Sequence, residues 1–114
     1  MHLINRAVAA VGLKQPFVDW ANSTPGPKFT LESLNRENHA FLLPEHDTAQ
    51  ELELIIQDLY RDIFQTELSS ICRSQNLWPE INYQAFLDWF DIRVHSMVFD
   101  PYEEEIEKEE FLHY

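Results

Sequence analysis

The clearest hydrophobic repeat in the chain runs from Thr48 to about Arg73. Its apolar residues recur at spacings of three and four, as on one face of an α-helix: Leu52, Ile55, Ile56, Leu59, Ile63, Phe64, Leu68 and Ile71. Thr48 and Glu51 form a capping-box pattern at its start, because each side chain can bond the free backbone amide near the other. The pattern predicts a long amphipathic helix, about 39 Å in length, against which the rest of the chain packs.

Three shorter segments are rich in apolar or β-branched residues and predict strands: Leu3 to Gly12, His39 to Leu43, and Ile92 to Phe99. The first is apolar almost without a break, which favours a strand covered on both faces, although its alanines leave a helix open as an alternative. If consecutive strands are parallel neighbours, their crossovers should be right-handed.

Short helices are predicted between these segments. Pro16 suits the first turn of a helix that ends near Asn22. Thr30 can cap a helix over Leu31 to Asn35, and Asn82 can cap another over Tyr83 to Phe90. This order of elements predicts a small α+β domain over residues 1–100, in which a three-stranded sheet packs against the long helix and the shorter ones.

Charge changes the picture at one end of the chain. The 114 residues carry a formal net charge of −12, and residues 100–114 hold seven acidic side chains against Lys108 alone. We therefore expect residues 101–114 to form a flexible acidic tail outside the fold. The alternative is an interaction tail, anchored on a partner by the apolar end Phe111-Leu-His-Tyr114. The lack of a basic cluster argues against nucleic acids and anionic membranes as partners.

The cysteine and glycine counts exclude several kinds of site. One cysteine, Cys72, rules out a disulfide framework within the chain and a zinc site of several cysteines. Two glycines cannot form a glycine-rich phosphate loop, and no nucleophile-elbow or metalloprotease motif occurs. No cofactor is expected. A metal site would require the fold to bring His39, His46 and His95 together.

No segment matches a signal peptide or a membrane span. Together with the single cysteine and the acidic balance, this predicts a cytoplasmic protein whose thiol is reduced.

Two segments contain candidate site residues. The first, residues 14–20, carries Lys14, Gln15, Asp19 and Trp20 at the end of a predicted strand, where ligands often bind in parallel α/β folds. The second, residues 91–95, places Asp91, Arg93 and His95 on one side of a strand, which is suitable for acid–base or anion chemistry. The alternative is structural: Trp20 lies in the core, Asp91 caps or turns, and Arg93 pairs with a helix acid.

The same segments carry a resemblance. Lys14-Gln-Pro-Phe-Val-Asp-Trp20 resembles the opening of a family of small bacterial proteins with no assigned activity. Trp89-Phe-Asp-Ile-Arg-Val-His-Ser-Met-Val-Phe-Asp100 resembles its closing segment, and Leu42-Leu-Pro-Glu45 before an acidic helix also fits. The resemblance covers most of residues 5–100 and implies a bacterial single-domain protein. It implies no catalytic residues.

Three functional hypotheses follow. The missing catalytic motifs and the acidic surface favour a non-enzymatic protein-interaction module, whose partner is another protein of basic character. The alternative is a small enzyme or ligand-binding protein with a cleft between residues 14–20 and 91–95. A second alternative, resting on charge alone, is an acidic inhibitor that mimics nucleic acid. A homodimer is also open, through a strip on the long helix at Tyr60 and Phe64.

Overall fold

A computed structural model describes residues 1–111 of the protein. It has five strands: β1 (His2–Leu3), β2 (Arg6–Leu13), β3 (Ala40–Pro44), β4 (Phe90–His95) and β5 (Phe99–Asp100). It has four α-helices: α1 (Gln15–Ser23), α2 (Leu31–Leu34), α3 (Ala49–Ile71) and α4 (Tyr83–Trp89). A single 3-10 turn, Gln75–Leu77, precedes α4. The chain therefore has the small α+β architecture that the sequence predicts.

The main sheet has the order β3-β2-β4, and both pairings are antiparallel. No pair of parallel neighbours exists in it, so the crossover rule for parallel strands does not apply. Central β2 buries Ala7, Ala9 and Val11 against the helices, whereas the alternate residues 8, 10 and 12 are half-buried on the open face. The prediction of cover on both faces is wrong. Alanine and glycine on the open face account for the unbroken apolar run, because small side chains expose little apolar area.

The last predicted strand divides into two elements. Helix α4 ends at Trp89, one residue earlier than predicted, and Phe90 pairs with Leu13 as the first residue of β4. The chain leaves the main sheet after His95, and β5 then pairs with β1 at the N-terminus. The alternation of residues 92–99 looks continuous in the sequence, but β4 pairs with β2 and β5 pairs with β1, so the strand is interrupted between them.

The capping signals are confirmed at three helices. The Thr48 hydroxyl accepts a hydrogen bond from the Glu51 amide at 3.1 Å, Thr30 caps α2, and the Asn82 side chain caps α4. The Glu51 carboxylate accepts from the Asp47 amide at 2.9 Å, one residue before the expected Thr48 amide. Local side-chain chemistry therefore sets these helix starts, as the sequence indicates.

The core is an aromatic cluster between α3, α4 and the sheet. Phe64 is fully buried, and its ring lies 6.5 Å, 5.4 Å and 4.9 Å between centroids from Phe86, Trp89 and Phe90. Tyr60 is half-buried against Tyr83 and Phe86. The Tyr60–Phe64 strip is therefore not exposed, and the predicted dimer surface on it is wrong, because α4 covers that face of α3.

The acidic segment follows β5. Residues 101–111 belong to no helix or strand and are exposed. Residues 112–114 of the predicted apolar anchor lie outside the described residues.

Candidate functional site

The candidate residues in and before α1 make structural contacts. The Lys14 amine donates to the Leu87 carbonyl of α4 at 3.0 Å, and the Gln15 amide donates to the Asp19 carboxylate at 2.9 Å. Trp20 is buried, and its indole N–H donates to the Leu77 carbonyl at 2.9 Å. Lys14 thus joins the start of α1 to α4, and Trp20 joins α1 to the 3-10 turn that precedes α4.

The other three candidates share the open face of the sheet. Asp91, Arg93 and His95 are exposed and alternate with residues that pack on the core, as the predicted strand alternation requires. They line a depression of about 520 Å³. Arg93 Nε lies 3.5 Å from Asp91 Oδ2, with both side chains exposed, so this ion pair is on the same strand and does not involve a helix acid.

The depression that holds Asp91, Arg93 and His95 does not include the other segment. It is lined by none of the four candidates from residues 14–20. The Lys14 amine is bonded instead to the Leu87 carbonyl of α4. The expectation of a ligand site at a strand end relied on a parallel sheet, and the sheet is antiparallel.

The three histidines line three different depressions. His39 lies beside α3, His46 lies near Glu51, and His95 lies on the open sheet face. Within residues 1–111, no group of three histidine, cysteine, aspartate or glutamate side chains is placed to hold a metal ion. The fold therefore does not assemble the histidine site that the sequence left open.

A pair that sequence reasoning missed lies at the start of β3. His39 Nδ1 is 2.8 Å from Glu67 Oε1, and this contact joins the sheet edge to α3. Glu67 is 3% exposed, whereas the His39 side chain is about half exposed. The pair thus places a buried carboxylate behind a histidine that reaches the surface.

Burial governs the ionisation of Glu67. Loss of water around the carboxylate raises its pKa above the ordinary value of 4.5, and the hydrogen bond and charge of His39 partly oppose that rise. Desolvation is the larger effect, so the folded protein holds this proton more tightly than the unfolded chain does.

A groove of about 850 Å³ opens beside this pair, between the edge of β3 and the C-terminal half of α3. Its floor and walls come from three parts of the chain: Asn38, His39, Ala40 and Phe41; Thr66, Ser69, Ser70 and Arg73; and Phe111. The groove combines two phenylalanine rings, hydroxyl groups and one arginine. We call it the β3–α3 groove.

One signal in the sequence marks Glu67. It falls on the apolar face of α3, three residues after Phe64 and one before Leu68, where a charged residue needs a partner. His39 is 28 residues away, and no local periodicity connects the two. The sequence can therefore show that Glu67 is unusual, but only the fold shows which residue pairs with it.

Comparison of the chain with protein-family models, curated proteins and solved structures found no match. The resemblance of residues 14–20 and 89–100 to a family of small bacterial proteins therefore stays a prediction. Among residues 1–111, no helix combines the length and the apolar character that crossing a membrane requires.

The buried carboxyl predicts a pH-dependent effect of Glu67→Gln. A raised pKa means that Glu67 contributes stability below about pH 4.5, which is lost as pH rises through the folded pKa. Glutamine keeps an acceptor for His39 and carries no charge. The free energy of unfolding of the variant, measured by urea denaturation, should therefore rise relative to that of the original protein as pH increases above about 4.5.

The exposed Glu53, which accepts a hydrogen bond from Gln57 on the same helix, provides the control. Glu53→Gln should show no comparable trend, because solvent already hydrates that carboxylate. If the difference in free energy of unfolding between Glu67→Gln and the original protein stayed constant with pH, it would contradict the effect of burial on the Glu67 carboxyl.

Proposed function

We propose that this protein is a non-enzymatic protein-interaction module, which holds an extended segment of a partner protein in the β3–α3 groove. The observation that carries the proposal is the position of Phe111. This residue belongs to an exposed segment outside the helices and strands, and it lines the groove. The chain thus already places a segment with an aromatic side chain where a partner segment would lie.

The sheet edge supports the same mode of binding. β3 is the terminal strand of the main sheet, and no strand within residues 1–111 pairs with its outer edge. Ala40 and Phe41 of this strand line the groove. An extended peptide can bond the free backbone of an edge strand and place alternate side chains in an adjacent groove. The edge would supply affinity and the groove would supply selectivity.

Selection from a random-peptide phage library on the immobilised full-length protein tests this function. We expect enrichment of peptides with an aromatic residue, and at least a tenfold loss of their binding in Ser70→Arg. Ser70 is exposed in the groove, so a large side chain there fills the groove and leaves the core intact. Gln57→Arg, at an exposed position of the same helix that does not line the groove, is the matched control. Enrichment of no peptide, or of peptides insensitive to Ser70→Arg, would overturn the proposal.

The His39–Glu67 pair favours one second candidate, a small enzyme in which His39 acts as a general base. A buried carboxylate at 2.8 Å from Nδ1 fixes the orientation of the ring. The groove beside it could hold a substrate. Turnover of an ester or peptide substrate that His39→Ala abolishes, and that selected peptides do not inhibit, would favour this candidate over the module.

A further inference from the structure

The β3–α3 groove is a locally positive site on an acidic protein. Arg73 is exposed, lines the groove, and forms no ion pair within residues 1–111. His39 lines the groove as well, and within residues 1–111 its acidic partner is Glu67, which is buried. A ligand in the groove therefore meets the Arg73 guanidinium at the surface, although the whole chain carries −12. Charge complementarity favours an acidic ligand at this position.

The segment that reaches the groove has that composition. Residues 103–111 read Glu-Glu-Glu-Ile-Glu-Lys-Glu-Glu-Phe, with six acidic residues against one lysine. Phe111 lines the groove, whereas Ile106, which is equally exposed at 63%, does not. The aromatic residue at the end of the segment is thus the one that contacts the site, and Glu109 and Glu110 directly precede it.

We propose that the β3–α3 groove recognises acidic segments that end in an aromatic side chain, and that residues 103–111 of the same chain occupy it as an internal competitor. This inference rests on the proposed function and names the chemistry of its ligand. That chemistry is opposite in charge to the basic partner expected from composition alone. A partner segment must displace the chain's own segment before it binds.

The length of the connection allows occupation within one molecule. Strand β5 ends at Asp100, so eleven residues lead to Phe111. A flexible chain of this length spans roughly 18 Å on average, and the structure already brings Phe111 to the groove of its own chain. A tether of this length gives an effective concentration on the order of millimolar. An internal segment of modest affinity, about 0.1 mM, then weakens an external competitor about tenfold.

A fluorescein-labelled peptide with the sequence of residues 103–111 is the probe, and its binding to full-length variants is measured by fluorescence anisotropy. We expect Phe111→Ala to bind the peptide about tenfold more tightly than the original protein, because the internal competitor has lost its anchor. Ile106→Ala is the matched control and should bind like the original protein. Adding Arg73→Glu to Phe111→Ala should weaken peptide binding at least tenfold. Raising the salt concentration to about 0.5 M should weaken it as well, because salt screens the attraction between exposed charges.

The internal competitor would be ruled out if Phe111→Ala bound the peptide no more tightly than the original protein. It would also be ruled out if Ile106→Ala increased the affinity for the peptide as much as Phe111→Ala does. If Phe111→Ala did not bind the labelled peptide even at a concentration on the order of millimolar, the inference that the groove recognises acidic segments with an aromatic end would be wrong. The proposed function would survive that result if library-selected peptides still bind and still depend on Ser70. Sedimentation velocity adds a further outcome: a dimer of the original protein that Phe111→Ala dissociates would place the segment in the groove of a second copy, against the internal arrangement.

Discussion

Replacing Phe64 with alanine should lower the free energy of unfolding by about 3–5 kcal/mol, the range for large aromatic side chains deleted from a core. The ring is fully buried and contacts aromatic rings from α4 and β4, so its removal opens a cavity between three elements. A change of this size approaches the whole stability of many domains of this length. Urea denaturation followed by tryptophan fluorescence measures it, since Trp89 lies beside the ring.

Leu54 provides the matched control on the same helix. It is exposed, so Leu54→Ala should change stability by less than about 0.5 kcal/mol. If the two variants lost similar stability, α3 would not pack on α4 through Phe64. The comparison therefore also tests whether the Tyr60–Phe64 strip belongs to the core and not to a dimer surface.

Replacing His39 with alanine should lower the free energy of unfolding by about 1–3 kcal/mol at neutral pH. The substitution removes the hydrogen-bond partner of a buried carboxylate, which must then stay charged without a partner or take up a proton. Each alternative destabilises the folded state relative to the unfolded chain, in which water surrounds Glu67. The measurement is again urea denaturation, at a pH near 7.

A double-mutant cycle separates this pair from general damage. His39→Ala combined with Glu67→Gln should lose less stability than His39→Ala alone, because an unpaired amide is less costly to bury than a carboxylate. His46→Ala is the control, since His46 is a half-buried histidine whose ring nitrogen lies 3.2 Å from the Pro44 carbonyl and which forms no ion pair within residues 1–111. If His39→Ala and His46→Ala had equal effects, or the double variant were simply additive, the pair would carry no coupling energy.

The candidate site shows where sequence reasoning stops. Alternation along residues 91–95 placed Asp91, Arg93 and His95 on one side of a strand, because side chains on a strand point to opposite faces in turn. That inference needs no knowledge of neighbouring elements. The proposed link to Lys14 and Trp20 did need it, since it assumed a parallel sheet. In the antiparallel fold Lys14 bonds the Leu87 carbonyl and Trp20 is buried, and neither lines the depression beside Arg93.

Local chemistry determined much of this protein from the sequence alone. The caps at Thr30, Thr48 and Asn82 and the three-and-four spacing of α3 depend on residues within one or two helical turns, and these predictions were confirmed. Two segments of β structure were also predicted where β2 and β3 lie. The division of the last strand into β4 and β5 was not, because it depends on pairing with His2–Leu3 at the other end of the chain.

Only the tertiary structure decided what stands beside Glu67 and Phe111. His39 lies 28 residues from Glu67, and Phe111 reaches a groove made by β3 and α3. Contacts at such separations depend on the packing of a helix against a sheet edge, and no periodicity or composition encodes which residues meet there. The sequence thus determined the helices and the acidity of the tail, whereas the packing of the chain decided which residues form the β3–α3 groove.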